Sequence, residues 1–437
     1  MFDTLCTYPL ASDLFAQALH PSEPIIALGL ATGHVSLHRL PPSSSSSESP
    51  PKNGCGTIDT AWRTRRHKGG SCRALTFSPD GTSLFSAGVD GVVKVAETET
   101  GWVGGKIAVP LYKGTTDPPT LLSTPHPSSL LLATESGALH VYDLRLSPSP
   151  NTTTSSSTPT PTPSPFPTHS YPSLHADLIT SLSPLPPNNS QILTTGAATI
   201  TITDLRHHKI VITSEDQDEE LLSSTICASA GKAVVGGERG VLRVWDVGAW
   251  NDEERVLDLG TGGGDGGCAC CCACRGGSRG RGMCAAGCDD GVVRFVDVDA
   301  VVNGKGRKGK GMRTLGEVRH DEVEGVVGLG WLRDGRLVSG GGAVVKIWEE
   351  AGGRQSYSDD EDEDEGEDGD EGMKSINGGL GSDDEEDGQD GEAAEVDDSD
   401  EEEGEKPKKR GKKKKKKRGK GKKGQVGNGI MAFKGLT

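Results

Sequence analysis

The stretch "GVLRVWD", Gly240 to Asp246, decides the fold because its shape recurs along the chain. It begins with glycine, alternates apolar with other side chains, and ends in an aromatic residue followed by an acid. Alternation with a period of two is typical of a half-buried β-strand. Six further segments have a related shape: GHVSLHR (33–39), GVVKVAE (91–97), GALHVYD (137–143), ATITITD (198–204), GVVRFVD (291–297) and AVVKIWE (343–349).

The spacing of these segments indicates a repeat of four-stranded units. They follow one another at roughly 40 to 60 residues, and the excess over about 40–45 falls at insertions of low complexity. In "CRALTFSPDGTSLFSAGVDGVVKVAE" (72–97), two more alternating stretches precede the segment, separated by turn-forming Ser-Pro-Asp-Gly and Val-Asp-Gly. Such units favour an all-β, seven-bladed β-propeller over residues 1–350, with insertions at about 41–54, 147–167 and 260–282 that we expect to be loops on the rim.

The end of the last unit raises the question of how the ring closes. The chain after Trp348 reads "EEAGGRQSYSDDEDEDE", which contains no strand pattern, so the last blade lacks its outer strand. An unpaired edge would be left exposed. We expect the N-terminal segment "FDTLCTYPL" (2–10) to supply that strand.

The terminal motifs identify a fold family. "VYD" (141–143), "VWD" (244–246) and "IWE" (347–349) resemble the terminal dipeptide of WD-repeat β-propellers. In such repeats a histidine before the first strand bonds to an aspartate in a later turn. His67, His175 and His320 lie at about the right place, and Asp90 and Asp290 could occupy the turn, but the set is incomplete, so we expect packing to hold the blades. The repeat-defining residues are Tyr142, Asp143, Trp245, Asp246, Asp297 and Trp348.

Longer stretches carry a closer resemblance. "DLFAQALHPSEPIIALGLATGHVSLHRL" (13–40), "SCRALTFSPDGTSLFSAGVDGVVKVAETETG" (71–101) and an acid-then-lysine tail ending in "GIMAFKGL" (429–436) resemble the WD repeat-containing protein 55 family and its fungal nucleolar relatives. The resemblance implies a place in the nucleolus and a role in large (60S) ribosomal subunit biogenesis and rRNA processing. The partners it implies are proteins of pre-ribosomal particles, with this chain a monomer within a larger assembly.

The C-terminal residues separate charge by sign, within a net charge of −16. Residues 351–405 form an acidic segment that is predicted to be disordered, because it holds too few apolar residues to fold. Its charge suits a solubilising tail or a mimic of nucleic acid toward basic partners, and Ser358, Ser382 and Ser399 precede acids as targets of an acidophilic kinase do. Residues 425–437 contain a few apolar side chains.

A lysine-rich segment at 406–424 follows the acidic one. A dense cationic run binds polyanions, RNA included, by counterion release, and is the usual form of a nuclear import signal. We therefore expect a nuclear and nucleolar protein. The cationic residues that carry this prediction are Lys406, Lys408, Lys409, Arg410, Lys412, Lys413, Lys414, Lys415, Lys416, Lys417 and Arg418.

A cysteine cluster, "CACCCAC" (268–274), allows three interpretations. Cys268, Cys270, Cys271, Cys272 and Cys274 could ligate zinc, but neighbouring residues of a strand point to opposite faces. Counting back from "VVRFV" (292–296) places the cluster where the first strand of blade six belongs, so a degenerate strand is the favoured interpretation; an accident of thiol redox chemistry is the third. The adjacent "RGGSRGRG" (275–282) suits a loop or a short RNA-binding segment.

The sequence contains no motif that indicates an enzyme. It contains no G-x-x-x-x-G-K-[ST], G-x-S-x-G or H-E-x-x-H motif, and His207 and His208 fall in a predicted blade turn. No apolar run is long enough for a membrane span, no secretory signal is evident, and the thiols are expected to stay reduced. No cofactor, membrane or small-molecule substrate is expected. Alternatives to the ribosomal role are a chromatin propeller that binds histones and a substrate receptor of a cullin-type ubiquitin ligase.

Overall fold

The computed structural model describes residues 2–42, 57–146, 166–250, 255–259, 270–276, 282–298 and 314–350, with only the backbone described for 270–276, Leu146 and Arg255. The described residues form seven four-stranded antiparallel sheets and one two-stranded hairpin. Each sheet is a blade, and the chain passes from blade to blade in sequence order. This confirms the prediction of an all-β, seven-bladed propeller.

The first half of the ring runs from blade 1 to blade 3, and strand β1 (Phe2–Pro9), which precedes it, belongs to the last blade. Blade 1 comprises β2 (Leu14–Leu19), β3 (Ile25–Leu30), β4 (His34–Arg39) and β5 (Asp59–Arg65). Blade 2 comprises β6 (Cys72–Phe77), β7 (Ser83–Gly88), β8 (Val92–Glu97) and β9 (Val103–Ala108). The hairpin of β10 (Leu111–Tyr112) and β11 (Thr115–Thr116) follows. Blade 3 comprises β12 (Pro119–His126), β13 (Ser129–Thr134), β14 (Leu139–Asp143) and β15 (His169–Tyr171), with a 3₁₀ turn at Leu144–Leu146.

The second half of the ring continues the same order. Blade 4 comprises β16 (Ile179–Leu185), β17 (Gln191–Gly196), β18 (Thr199–Asp204) and β19 (Lys209–Thr213). Blade 5 comprises β20 (Leu221–Cys227), β21 (Lys232–Gly237), β22 (Val241–Asp246) and β23 (Arg255–Asp258). Blade 6 comprises β24 (Cys270–Gly276), β25 (Gly282–Gly287), β26 (Val292–Asp297) and β27 (Thr314–Arg319). Blade 7 comprises β28 (Gly328–Trp331), β29 (Leu337–Gly341), β30 (Val344–Glu350) and β1.

Burial explains why the strands differ in composition. The second strands are buried along their length, as in β3 and β21, because both of their faces pack against neighbouring blades. The exposed fourth strand β19 contains both apolar and polar residues. The segments that begin with glycine follow a turn that needs a positive φ, and Gly240 has φ 72°. Glycine adopts that conformation without the strain that a Cβ would add.

Two sets of strand contacts close the ring. The first strands of successive blades contact one another in an unbroken cycle, with β28 of the last blade against β2 of the first. Strand β1 pairs antiparallel with β30, from Phe2 opposite Glu350 to Pro9 opposite Val344. The prediction that residues 2–10 supply the missing outer strand is therefore confirmed, and the two ends of the described chain share one sheet.

The hydrophobic core lies between the blades rather than within a single layer. In the described part of the chain, seven clusters of buried apolar side chains occur, one at each interface between neighbouring blades. Phe2 stacks on Phe295 of blade 6 with ring centroids 4.6 Å apart, and it contacts Trp331 of blade 7 at 5.5 Å. The closing strand thus contributes to the core as well as to the sheet.

One predicted insertion needs correction. The segment bounded at 260–282 contains β24, the first strand of blade 6, so it is not a loop throughout. The placement of the cysteine cluster in that first strand is correct for Cys270, Cys271, Cys272 and Cys274. Cys268, Arg279 and Arg281 lie outside the described residues, as do most of the insertions at 41–54 and 147–167 and the whole of 351–437.

Candidate protein-contact site at the mouth of the channel

The two ends of the strands define two faces of the ring. The connection from the fourth strand of one blade to the first strand of the next, such as residues 66–71, lies at the same end as the turn between second and third strands. We call this end the upper face. The lower face carries the turn between first and second strands, such as residues 78–82, and the turn between third and fourth strands, such as residues 205–208.

A buried histidine anchors the upper face of blade 2. Nδ1 of His67 lies 2.8 Å from Oδ1 of Asp90, and Nε2 lies 3.2 Å from the hydroxyl of Ser86. Burial lowers the pKa of His67, although the bond to Asp90 opposes that shift. The neutral ring can donate to the carboxylate and accept from the serine, so it fixes the connection against its own blade.

Blade 7 also has a buried histidine bonded to a serine, and here the serine binds the aromatic side chain as well. The indole N–H of Trp348 donates to the Ser339 hydroxyl at 2.7 Å, and that hydroxyl lies 2.9 Å from Nδ1 of His320. Nε2 of His320 is 3.5 Å from the Gly341 carbonyl oxygen. Blade 2 has Ala96 in place of the aromatic residue, and blade 7 has Gly342 and Ala343, rather than an aspartate, in the turn between its second and third strands.

Blade 4 completes its arrangement with hydroxyl groups. His175 lies 3.0 Å from the Thr199 hydroxyl through Nδ1 and 2.9 Å from the Thr194 hydroxyl through Nε2. Burial lowers the pKa of His175 to about 4. All three histidines singled out in the sequence therefore occupy the predicted position, and each is bonded within its own blade.

Blades 5 and 6 replace the histidine pattern with ion pairs that sequence reasoning missed. Arg243 Nε donates to Oε1 of the buried Glu219 at 2.7 Å. In blade 6, Asp290 accepts from Arg294 through both carboxylate oxygens, at 3.1 and 2.6 Å, rather than from a histidine. The sequence does contain a sign of these pairs, because a cation is the third residue of both "VLR" (241–243) and "VVR" (292–294). Lys94 has the same place in "VVK" (92–94) and bonds Asp90 at 3.1 Å.

The repeat-defining aromatic side chains lie between blades. Tyr142, Trp245 and Trp348 are buried in the clusters that join their blades to the preceding ones. The acids after them bond elsewhere: Asp143 accepts from the backbone N–H of Arg145 in the next turn at 3.0 Å, and Asp246 pairs with Lys232 of the neighbouring strand β21. Asp297 is buried.

The first strands of a propeller surround a central channel, and an apolar cavity opens where they converge on the upper face. We call this cavity the channel mouth. Its volume is about 170 Å³. Phe15 on β2 and Val327, just before β28, are about half exposed beside it, so two large apolar side chains face solvent at one place. The side-chain oxygen Oε1 of Gln17 is buried there without a hydrogen-bond partner. The lining residues are Leu14, Phe15, Ala16, Gln17, Arg73, Ala74, Leu75, Leu121, Leu122, Val327 and Gly328.

The upper face around this cavity is acidic on one side. Exposed carboxylates cluster on the connections that enter blades 5 and 7 and on the turn of blade 5, against the exposed cations Arg239 and Arg319. Arg73 at the cavity is paired with Glu135. Such a rim attracts positively charged partners over a distance of several ångströms. The exposed acidic residues are Glu215, Asp216, Asp218, Glu220, Glu238, Glu322 and Glu324.

Neither metal chemistry nor a membrane segment is indicated where the structure is described. Within those residues, no group of three or more His, Cys, Asp and Glu is placed to hold a metal ion. No helix there has the length and apolar character needed to cross a bilayer. His207 and His208 lie in the turn of blade 4, as predicted. Ser358, Ser382, Ser399 and the cations of 406–424 lie outside the described residues.

Comparisons with known proteins agree with the propeller. The family model "WD domain, G-beta repeat" matches residues 61–96, which run from the last strand of blade 1 through the first three strands of blade 2. The chain is 43% identical over 398 residues to WD repeat-containing protein jip5 of Aspergillus terreus, covering 83% of this chain and 88% of that protein. It is 45% identical over 379 residues to the Aspergillus clavatus protein of the same name, covering 81% and 85%, and 43% identical over 382 residues to that of Coccidioides immitis, covering 83% and 84%.

Proposed function

The chain belongs to the family of WD repeat-containing proteins named jip5, and from this membership we propose that it is a non-enzymatic scaffold that assists assembly of the large (60S) ribosomal subunit and rRNA processing. The matched family model describes a repeat domain, and WD repeats mediate contacts between proteins. The ribosomal role rests on the resemblance of residues 13–40 and 71–101 to the WD repeat-containing protein 55 family.

The observation that carries the scaffold proposal is the apolar channel mouth on a face that is acidic on one side. A half-exposed Phe15 and Val327 offer an anchor for an apolar side chain, and the carboxylates of blades 5 and 7 favour a basic partner. Proteins that bind ribosomal RNA are basic because they neutralise phosphates. Proteins of pre-ribosomal particles therefore have the charge that this face would recruit.

Sedimentation tests the ribosomal role. Tagged full-length chain is expressed in fungal cells and lysates are resolved on sucrose gradients. We expect it to travel with pre-60S particles, and the Phe15→Glu variant to move to the light fractions because a charge now stands at the apolar mouth. Trp102→Glu is the matched control, since Trp102 is 67% exposed on the lower face of blade 2.

Other gradient profiles would overturn this assignment. Sedimentation with nucleosomes supports the chromatin alternative, which the acidic rim also suits because histones are basic. Recovery with a cullin adaptor supports a substrate receptor. A chain that stays in the light fractions in wild-type form contradicts a stable place in any of these particles.

We also propose that the protein acts in the nucleus and nucleolus. The support is the cationic run at 406–424, and it is tested by fusing those residues to a fluorescent reporter. The fusion should accumulate in the nucleus. A matched fusion with Lys412 to Lys417 replaced by Gln should remain distributed through the cell, and equal distributions of the two would reject the signal.

A further inference from the structure

A second cavity lies on the lower face between blades 3 and 4, away from the channel mouth. Its volume is about 370 Å³, within the range of pockets that hold small ligands or single anchored side chains. Turns of both blades form its walls. Its lining residues are His126, Ser129, Val141, Tyr142, Asp143, Arg145, Thr168, Ser190, Leu205, Arg206 and His208. We call this cavity the lower groove.

The walls of the lower groove are cationic. Arg206 is exposed, and its guanidinium forms no ion pair with the described residues. Arg145 binds Asp143 through Nε at 3.0 Å and Nη2 at 2.6 Å, and its other nitrogen Nη1 still has donors to offer. Asp143 is the one carboxylate among the described lining residues.

The turn that carries Arg206 and His208 is held in shape before any ligand arrives. Asp204 accepts from the backbone N–H groups of Arg206 at 2.8 Å and His207 at 3.0 Å, and from His207 Nδ1 at 3.0 Å. His208 has φ 51° and its ring stacks on His169 with centroids 4.7 Å apart. A fixed turn loses little conformational entropy when a ligand binds.

The lower groove also has apolar lining residues, which form its floor. Val141 and Leu205 line it and belong to the apolar cluster between blades 3 and 4. Val141 is buried and Leu205 is partly exposed. Leu205 therefore offers a contact for an apolar side chain of a ligand.

We propose that the lower groove binds an acidic peptide segment of a partner protein, with a carboxylate between Arg206 and Arg145 and an apolar side chain on the floor. A guanidinium binds a carboxylate through paired hydrogen bonds. The apolar floor favours a peptide over a nucleic acid, whose backbone carries no apolar side chain to fill it. This inference goes beyond the scaffold proposal and holds in whichever particle the protein acts.

The test uses full-length protein and a fluorescein-labelled peptide of sequence Glu-Glu-Leu-Glu-Glu that also carries a photo-crosslinker. Binding is followed by fluorescence polarisation, and crosslinked sites are mapped by mass spectrometry. Arg206→Glu should weaken binding about tenfold or more, as loss of a charge-assisted contact and added repulsion predict.

The matched control is Arg333→Glu, an exposed arginine in the first–second turn of blade 7 on the same face. It changes the net charge as Arg206→Glu does but lies outside the lower groove. It should therefore change peptide affinity by less than twofold and leave the crosslinks in residues 126–145 and 204–209. Because every variant keeps the lysine-rich segment, binding through that segment is equal in all of them.

Three results would overturn the proposal. Equal losses for Arg206→Glu and Arg333→Glu would indicate general charge attraction. Crosslinks confined to residues outside blades 3 and 4 would place the peptide elsewhere. A single-stranded RNA oligonucleotide that binds more tightly than the peptide and loses affinity in Arg206→Glu would assign the groove to nucleic acid instead.

Discussion

At the scale of single residues, blades 2, 4 and 7 contain different parts of one polar arrangement around a buried histidine. Ser339 serves both Trp348 and His320, whereas Ser86 serves His67 alone because Ala96 replaces the aromatic partner. In blade 5 the equivalent of Ser339 is Val235, and the Trp245 indole N–H is buried without a partner. The contribution of a hydroxyl therefore depends on how many buried groups it satisfies.

The two serines form a matched pair for a stability test. Ser339→Ala leaves the Trp348 N–H and a His320 nitrogen unpaired, which should lower the free energy of unfolding by about 2–3 kcal/mol, and Ser86→Ala by about 1 kcal/mol. Urea unfolding monitored by circular dichroism gives both values. Equal losses would show that the second hydrogen bond of Ser339 contributes nothing to stability.

The buried histidines make stability depend on pH. The pKa of His175 is about 4 in the folded protein and 6.5 for a free histidine, so the unfolded chain binds more protons between these values. Stability should fall as pH drops from about 6.5 to about 4, by an amount on the order of 3 kcal/mol from this group.

Urea midpoints measured at pH 7 and pH 5 test this dependence. His175→Gln should lose stability at pH 7 because the two threonine contacts are disturbed, but should lose less than the wild type on acidification. His207→Gln is the control, since His207 is 68% exposed in its side chain. A His175→Gln variant whose midpoint shifts with pH as the wild type's does would refute the assignment.

At the scale of elements, the third strand of each blade carries most of the information that the sequence reveals. The aromatic residue of "VWD" is apolar and large because it fills the interface to the preceding blade, as Trp245 does, and the acid after it accepts hydrogen bonds in the next turn, as Asp143 does. These local roles leave a local pattern, so the strands could be predicted. The pairing of Glu219 with Arg243 joins residues 24 positions apart, so the local pattern "VLR" shows the cation but not its partner.

The closing strand β1 offers a test of its two faces. Cys6 is buried and its neighbour Thr7 is exposed. Cys6→Asp should lower the melting temperature by several degrees, because a carboxylate would be buried beside the apolar cluster between blades 7 and 1. Thr7→Asp should leave it nearly unchanged. Similar effects at both positions would mean that β1 does not lie with Cys6 toward the core.

At the scale of the whole molecule, the number of blades followed from counting one segment shape, and closure followed from the absence of a strand pattern after Trp348. The two candidate sites could not be predicted from the sequence in this way. The channel mouth combines residues of four blades, from Phe15 to Val327, and the lower groove combines turns of two, so neither is contiguous in sequence. Their chemistry emerges only once the ring fixes which turns are neighbours.

The central claim is that the N-terminal strand closes the ring, and an engineered disulfide tests it most directly. Thr7 and Lys346 are opposed in the pairing of β1 with β30, at a separation that suits a disulfide. The double variant Thr7→Cys, Lys346→Cys should form an intramolecular bond on mild oxidation, detected by non-reducing electrophoresis and by mass spectrometry of the linked peptides. Thr7→Cys with Lys94→Cys, at the equivalent third-strand position of blade 2, should not. A Thr7–Lys346 pair that fails to link, or links no more than the control pair, would contradict the closed seven-bladed ring.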